Sequence, residues 1–122
     1  MAKNPKKILV DVYTSWCGPC KMMDKNTFTD AMIIKQVSKN FHAVKFNAEG
    51  PDPIKFQGKE YSNPNYKPNV RGRNGRHQLS SFFQVPGYPT LVVMDEKMQI
   101  LGQIVGYKQP QQLSAELARY FK

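Results

Sequence analysis

The chain has 122 residues and a formal charge of +9, from 18 Lys and Arg against nine Asp and Glu. No apolar run reaches the roughly 18 residues of a membrane-spanning helix, and two cysteines, Cys17 and Cys20, are too few for a disulfide scaffold. The length suits a single domain with one ordinary core, and the scattered basic residues read as a solvated surface.

Residues 1–7 are basic and lead into no long apolar stretch, so no signal peptide is expected within the sequence. Residues 8–13, Ile-Leu-Val-Asp-Val-Tyr, have the composition of a strand buried on both faces. Asp11 in the middle of that run is costly unless it has a task. Cys17-Gly18-Pro19-Cys20 opens a helix expected over residues 21–27, with Pro19 suited to a first turn. Asp30 reads as the N-cap of a second helix whose Ile33, Val37 and Phe41 fall on one face. Residues 43–47 read as a second strand.

Residues 50–77 differ in character. They hold four prolines, four glycines and four asparagines, with six Lys and Arg against two Asp and Glu. That density of breakers predicts a long irregular loop inserted in the domain. Ile54, Phe56, Tyr61, Tyr66 and Val70 suggest that part of it packs back on the domain. A short helix is expected over 78–84. Tyr88-Pro89-Thr90 leads into a strand over 91–95, a turn at 96–98 and an antiparallel return over 99–105. A terminal helix follows Pro110, its buried face marked by Leu113, Leu117, Tyr120 and Phe121. The order β-α-β-α-β-β-α predicts an α/β fold, a mixed central sheet with flanking helices.

The cysteine pair carries the chemistry. A helix N-terminus presents free N–H groups and partial positive charge, which favour a thiolate. Cys17 lies at that end and should titrate below the roughly 8.5 of a free cysteine. One helical turn lets Cys20 reach it, so exchange runs through a mixed disulfide on Cys17 that Cys20 resolves. Structural zinc needs four ligands, and only His42 and His77 could complete a set. Cu(I) held by Cys17 and Cys20 with Met22 or Met23 is the chemical alternative, although methionines beside a core more often pack. Tyr61, Tyr66, Lys67, Arg71, Arg73 and Arg76 could stack on and neutralise nucleic acid. The plainer reading is a solvated loop, and no nucleic acid is expected.

The run Asp11-Val12-Tyr13-Thr14-Ser15-Trp16-Cys17-Gly18-Pro19-Cys20-Lys21-Met22 resembles the thioredoxin active-site signature. Asp11 stands in the place of that family's buried acid, and Lys45 matches a lysine near it. Tyr88-Pro89-Thr90 matches its cis-proline loop, and Gly106 also matches. The resemblance covers residues 8–49 and 79–121 and implies a thioredoxin-like fold. Lys25-Asn26-Thr27-Phe28-Thr29-Asp30 is similar to a stretch in exported bacterial thioredoxin-like domains, including the C-terminal domain of transmembrane disulfide reductases. Two departures stand out. Only sixteen residues precede Cys17, where thioredoxin carries a further strand and helix, so the segment is trimmed or the fold is a minimal version. The second departure is the insertion at 50–77.

The resemblance implies a protein disulfide oxidoreductase that needs no cofactor beyond the Cys17–Cys20 disulfide. It makes Asp11 the proton acceptor for Cys20, with Lys45 in the same network. It assigns Trp16, Gly18, Pro19, Tyr88 and Pro89 to the substrate surface, with a cis bond turning the Tyr88 backbone toward Cys17. On the residues alone the plainer readings stand: Asp11 a satisfied strand residue, Lys45 a surface lysine, Trp16 edge packing, Pro89 a trans turn proline. Gly-Pro between the cysteines resembles reducing members. The expected partners are protein disulfides or dithiols and an upstream electron donor, met by a monomer. A periplasmic or other extracytoplasmic setting is expected, with the cytoplasm as the alternative. The insertion is expected to leave the chemistry alone and tune partner choice toward an acidic surface.

Overall fold

The computed structural model describes residues 6–70 and 72–120, so expectations for residues 1–5, Arg71 and Phe121 lie outside the described residues. In chain order the elements are β1 (Lys7–Tyr13), α1 (Gly18–Asn26), α2 (Ala31–Asn40), β2 (Phe41–Asn47), β3 (Ile54–Phe56), β4 (Lys59–Tyr61), α3 (Gln78–Phe83), β5 (Thr90–Met94), β6 (Ile100–Val105) and α4 (Pro110–Leu117). A 3-10 turn, Ala118–Tyr120, follows α4. Four strands form one mixed sheet of order β2-β1-β5-β6. β1 runs parallel to β2 and antiparallel to β5, and β5 is antiparallel to β6.

Alternation along β1 divides the core in two. Ile8, Val10 and Val12 face a layer built from Leu79 and Phe83 of α3 with Phe56 and Tyr61. Leu9 faces the opposite layer, where Met23 of α1, Ile33 of α2 and Leu113 and Leu117 of α4 pack. Asp11 shares the parity of Leu9 and therefore points to the side that carries α1. Asp30 caps α2, its carboxylate accepting from Met32 and Ile33 N–H at 2.9 and 3.3 Å. Ile33 and Val37 of α2 reach the second core layer; Phe41, expected on the same helix, is instead the first residue of β2 and joins that layer from the strand.

The insertion corrects the sequence reading. Residues 54–61 are not irregular: β3 and β4 pair as a two-stranded antiparallel hairpin. Its turn places Gln57 at φ 53° and Gly58 at φ 81°, the doubly left-handed geometry that matches strand twist. Gln57 tolerates it while its side-chain amide donates to Met98 O at 2.8 Å. Ile54, Phe56 and Tyr61 then share one face and close the first core layer. Tyr66 is half-buried, whereas Val70 is exposed and takes no part in that packing.

The remainder of the insertion is held by side-chain bonds to backbone. Asn63 Nδ2 donates to Gly50 O and Gly75 O at 3.1 and 2.7 Å. Asn74 exchanges bonds with Lys67, accepting from its N–H and donating to its carbonyl, both at 2.8 Å. His77 is buried, with Nδ1 accepting from Leu79 N–H as the cap of α3 and Nε2 donating to Asp52 O. Asn63 and Asn74, two of the four asparagines that read as breakers, are therefore closures of this segment.

Candidate active site

The turn after β1 delivers Cys17 to the N-terminus of α1. Cys17 is the N-cap of that helix, and its Sγ accepts the N–H of Cys20 at 3.1 Å. Pro19 sits within the first turn, where its missing N–H costs nothing. Cys17 and Cys20 are joined by a disulfide, with Cα atoms 5.3 Å apart. A sulfur in this place receives an N–H bond and the positive end of the helix dipole, and both stabilise a thiolate once the disulfide opens.

Cys17 lines a cleft of about 550 Å³. Trp16, Gly18 and Pro19 form the wall beside it, and Pro86, Gly87 and Tyr88 form the facing wall. The indole of Trp16 meets the Tyr88 ring edge-on, with centroids 5.9 Å apart. The Tyr88–Pro89 peptide bond is cis. Pro89 O accepts from Gly106 N–H at 2.8 Å, and Gly106 makes that approach at φ 89°, a conformation open to glycine. Gly18 has open space where a side chain would stand.

The third wall comes from a direction the sequence did not indicate. Glu49, Arg73 and Arg76 complete the cleft lining. Glu49 Oε1 accepts both the Trp16 indole N–H and the Asn74 backbone N–H, each at 2.8 Å. The Arg73 guanidinium lies over the Trp16 ring, 5.3 Å from its centroid. Arg76 donates to Val85 O and Ser80 Oγ. The end of the insertion thus lines the cleft beside Cys17.

Asp11 and Lys45 are Cα partners across β1 and β2. Their charged groups lie 3.5 Å apart, while Lys45 Nζ lies nearer, at 2.8 Å, to Asp24 on α1. Burial raises the Asp11 pKa above the ordinary carboxylate value; the Lys45 charge opposes this and the Asp24 charge adds to it. For Lys45, burial disfavours the charge, but the bond to Asp24 and the charges of Asp11 and Asp24 outweigh it, so its pKa is raised. Asp24 lies four residues beyond Cys20, on the same face of α1, and helical spacing alone could have singled it out. Glu49 carried no such local signal, and Arg73 and Arg76 stood out in the sequence only as part of a basic, aromatic stretch, not as neighbours of Cys17. Met23 is a core residue and Met22 is half exposed, so the two methionines are not equivalent.

A family model described as a thioredoxin-like domain matches residues 1–121. The chain belongs to the thioredoxin-like domain family. This thioredoxin-like domain is 25% identical to the thiol:disulfide interchange protein DsbD of Pectobacterium atrosepticum, over 98% of the chain and 17% of that protein. It is 26% identical to a thioredoxin-like protein of Synechocystis, over 96% of the chain and 84% of that protein. With a thioredoxin of Alicyclobacillus acidocaldarius it shares 27% identity, over 95% and 83%. The domain therefore spans less than a fifth of that DsbD and most of the other two relatives. Among solved structures, a thioredoxin from Thermus thermophilus superposes with a TM-score of 0.67 at 17% identity, covering 94% of this chain and 73% of that one. The mixed sheet with its flanking helices is a thioredoxin fold, and the family together with the Cys17–Cys20 pair supports thiol–disulfide oxidoreductase chemistry.

Proposed function

We propose that this thioredoxin-like domain reduces disulfides in protein substrates, with Cys17 as the attacking sulfur. The observation that carries the reading is the placement of Cys17, which caps α1, bonds Cys20 N–H through its Sγ and lines the open cleft. In the dithiol form, the Cys17 thiolate attacks one substrate sulfur. The substrate S–S bond breaks, a mixed disulfide forms and the second substrate sulfur leaves as a thiolate that takes up a proton. Cys20 then loses its proton and attacks Cys17 Sγ, which releases the other substrate thiol. Two electrons have passed to the substrate, and the domain holds the Cys17–Cys20 disulfide.

Asp11 is the proton acceptor for Cys20 in this scheme. It is oriented to the α1 side of the sheet, and its raised pKa brings it closer to the working range of a base at neutral pH. Burial raises that pKa, and the charges of Lys45 and Asp24 adjust it in opposite directions. Trp16, Gly18, Pro19, Tyr88 and Pro89 form the substrate surface around Cys17. No cofactor or metal enters the cycle, a separate donor re-reduces the disulfide, and the domain works as a monomer. An extracytoplasmic setting, as for exported thioredoxin-like domains, is supported by the similarity of residues 25–30 to such proteins. No helix among the described residues is long and apolar enough to cross a membrane.

Insulin reduction driven by dithiothreitol tests the reading. The wild-type chain is expected to accelerate it, Cys17→Ser to abolish the acceleration, and Cys20→Ser to accumulate a mixed disulfide on Cys17 that mass spectrometry detects. Retained activity in Cys17→Ser would overturn the assignment. As a reductant, the pair should equilibrate with glutathione at a potential below the roughly −200 to −230 mV of glutaredoxins. A higher value would make the domain an oxidant.

A further inference from the structure

Arg73 and Arg76 are the cations of the cleft lining, Glu49 is its anion, and Cys17 lies on the same surface. The three charged groups are differently engaged. Glu49 Oε1 is occupied by the Trp16 indole and the Asn74 N–H. Arg76 spends two donors on Val85 O and Ser80 Oγ, and a guanidinium has five, so donors are left over. Arg73 is exposed and rests its planar face on Trp16, a contact that orients the group without using its edge donors. An anchored guanidinium with free edge donors is suited to a carboxylate, because less side-chain freedom is lost on pairing.

We infer that Arg73 and Arg76 select protein substrates whose reactive cysteine is flanked by Asp or Glu. The inference rests on the reading of Cys17 as the attacking sulfur. A substrate bound for in-line attack on Cys17 lays the residues next to its cysteine along the cleft walls, and one wall carries both guanidinium groups. A flanking carboxylate pairs with the Arg73 edge, while a flanking lysine meets two cations. This wall is anchored at two points, one to Glu49 outside the insertion and one within it. Asn74 N–H binds Glu49, and Gly75 O is held by Asn63, so Arg73 and Arg76 enter the cleft from a fixed segment.

Two synthetic peptide disulfides of one sequence, differing only in Asp or Lys on both sides of the cysteine, test the inference by stopped-flow with the reduced chain. Wild type should react faster with the Asp peptide, about fivefold for an exposed pair at low ionic strength. The preference should shrink toward unity at 0.5 M salt, where the Debye length is only several ångströms. Arg73→Glu should reverse the ratio, and Arg73→Lys, which keeps the charge but loses the stacked plane, should retain part of it. Circular dichroism and a urea midpoint like wild type's will show that the variants are folded. Equal rates for the two peptides, or a ratio untouched by Arg73→Glu, overturns the inference and leaves disulfide reduction standing. If neither peptide reacts, the reading of Cys17 fails and the inference falls with it.

Discussion

Asp24 holds the Lys45 ammonium at 2.8 Å from the next turn of the helix that carries Cys20. The cation is thereby drawn away from the buried acid beneath it, Asp11, which it approaches only to 3.5 Å. Asp24 thus acts on Asp11 twice, through its own negative charge and through its claim on the neutralising lysine. Asp24→Asn should release Lys45 toward Asp11 and lower the Asp11 pKa. Carbon-13 NMR of the Asp11 carboxyl is expected to show titration at lower pH, and the acid limb of the resolution rate should move the same way. An unmoved titration would mean that Asp24 is a surface carboxylate without influence.

Asp11→Asn should separate catalysis from stability. Burial raises the Asp11 pKa in the folded state, so the native state binds a proton more tightly than the unfolded chain, where the value is about 3.9. Stability from this group therefore falls as pH rises from the unfolded value through the folded one. The cost is therefore larger at pH 7 than near pH 4. The Asn variant should have a higher urea midpoint at pH 7 with the same m-value, and its advantage should disappear near pH 4. Resolution by Cys20 should slow by about 10²-fold, at the low end of what a positioned base contributes. An unchanged stopped-flow rate at pH 7 would remove Asp11 from the mechanism.

Cys17 in the reduced chain should titrate below about 8.5, and Cys20 should not. Thiolate absorbance near 240 nm in single-cysteine variants measures both. The expected asymmetry follows from the N-cap, since only Cys17 Sγ receives a backbone N–H from the first turn. A Cys17 value at or above that of a free cysteine would remove the electrostatic reason for its attack.

Gly75→Ala should disturb the cleft from a distance. A Cβ at Gly75 would collide with the backbone carbonyl and the Cβ of Asn65. The segment that carries Arg73 and Arg76 would have to shift, and the Asn63 bond to Gly75 O would weaken. The expected cost is about 1–3 kcal/mol, accompanied by a change in Trp16 fluorescence as the Glu49–Asn74 link moves. Neither effect would appear if this segment adjusted freely.

The parts of the fold that follow local rules were legible in the sequence. The apolar runs of β1 and β5 and the Asp30 cap of α2 each depend on a few adjacent residues, and the structure shifts their limits by only a residue or so. The pair Cys17–Cys20 was legible for the same reason, as a spacing of one helical turn. The hairpin was not. Its turn is Gln57-Gly58 rather than the Asn-Gly or Asp-Gly that announces such a turn, and the prolines around it read as breakers of the whole stretch. The third wall of the cleft was also hidden. Glu49 and Asn74 meet across 25 positions, a closure between two loops with no periodicity to reveal it.

The hairpin has a consequence for how this domain can change over generations. Phe56 and Tyr61 cover the sheet face against Phe83 and Phe46, and truncating a buried aromatic costs about 3–5 kcal/mol. Residues 54–61 are therefore bound to the fold as firmly as a core helix, and excising the insertion would strip one face of the sheet. Residues 64–70, Gly72 and Arg73, largely exposed and flanked by the tethers at Asn63 and Asn74, carry no such burden. Their side chains can drift, exchanging one clientele for another, while the scaffold and the sulfur chemistry stay as they are.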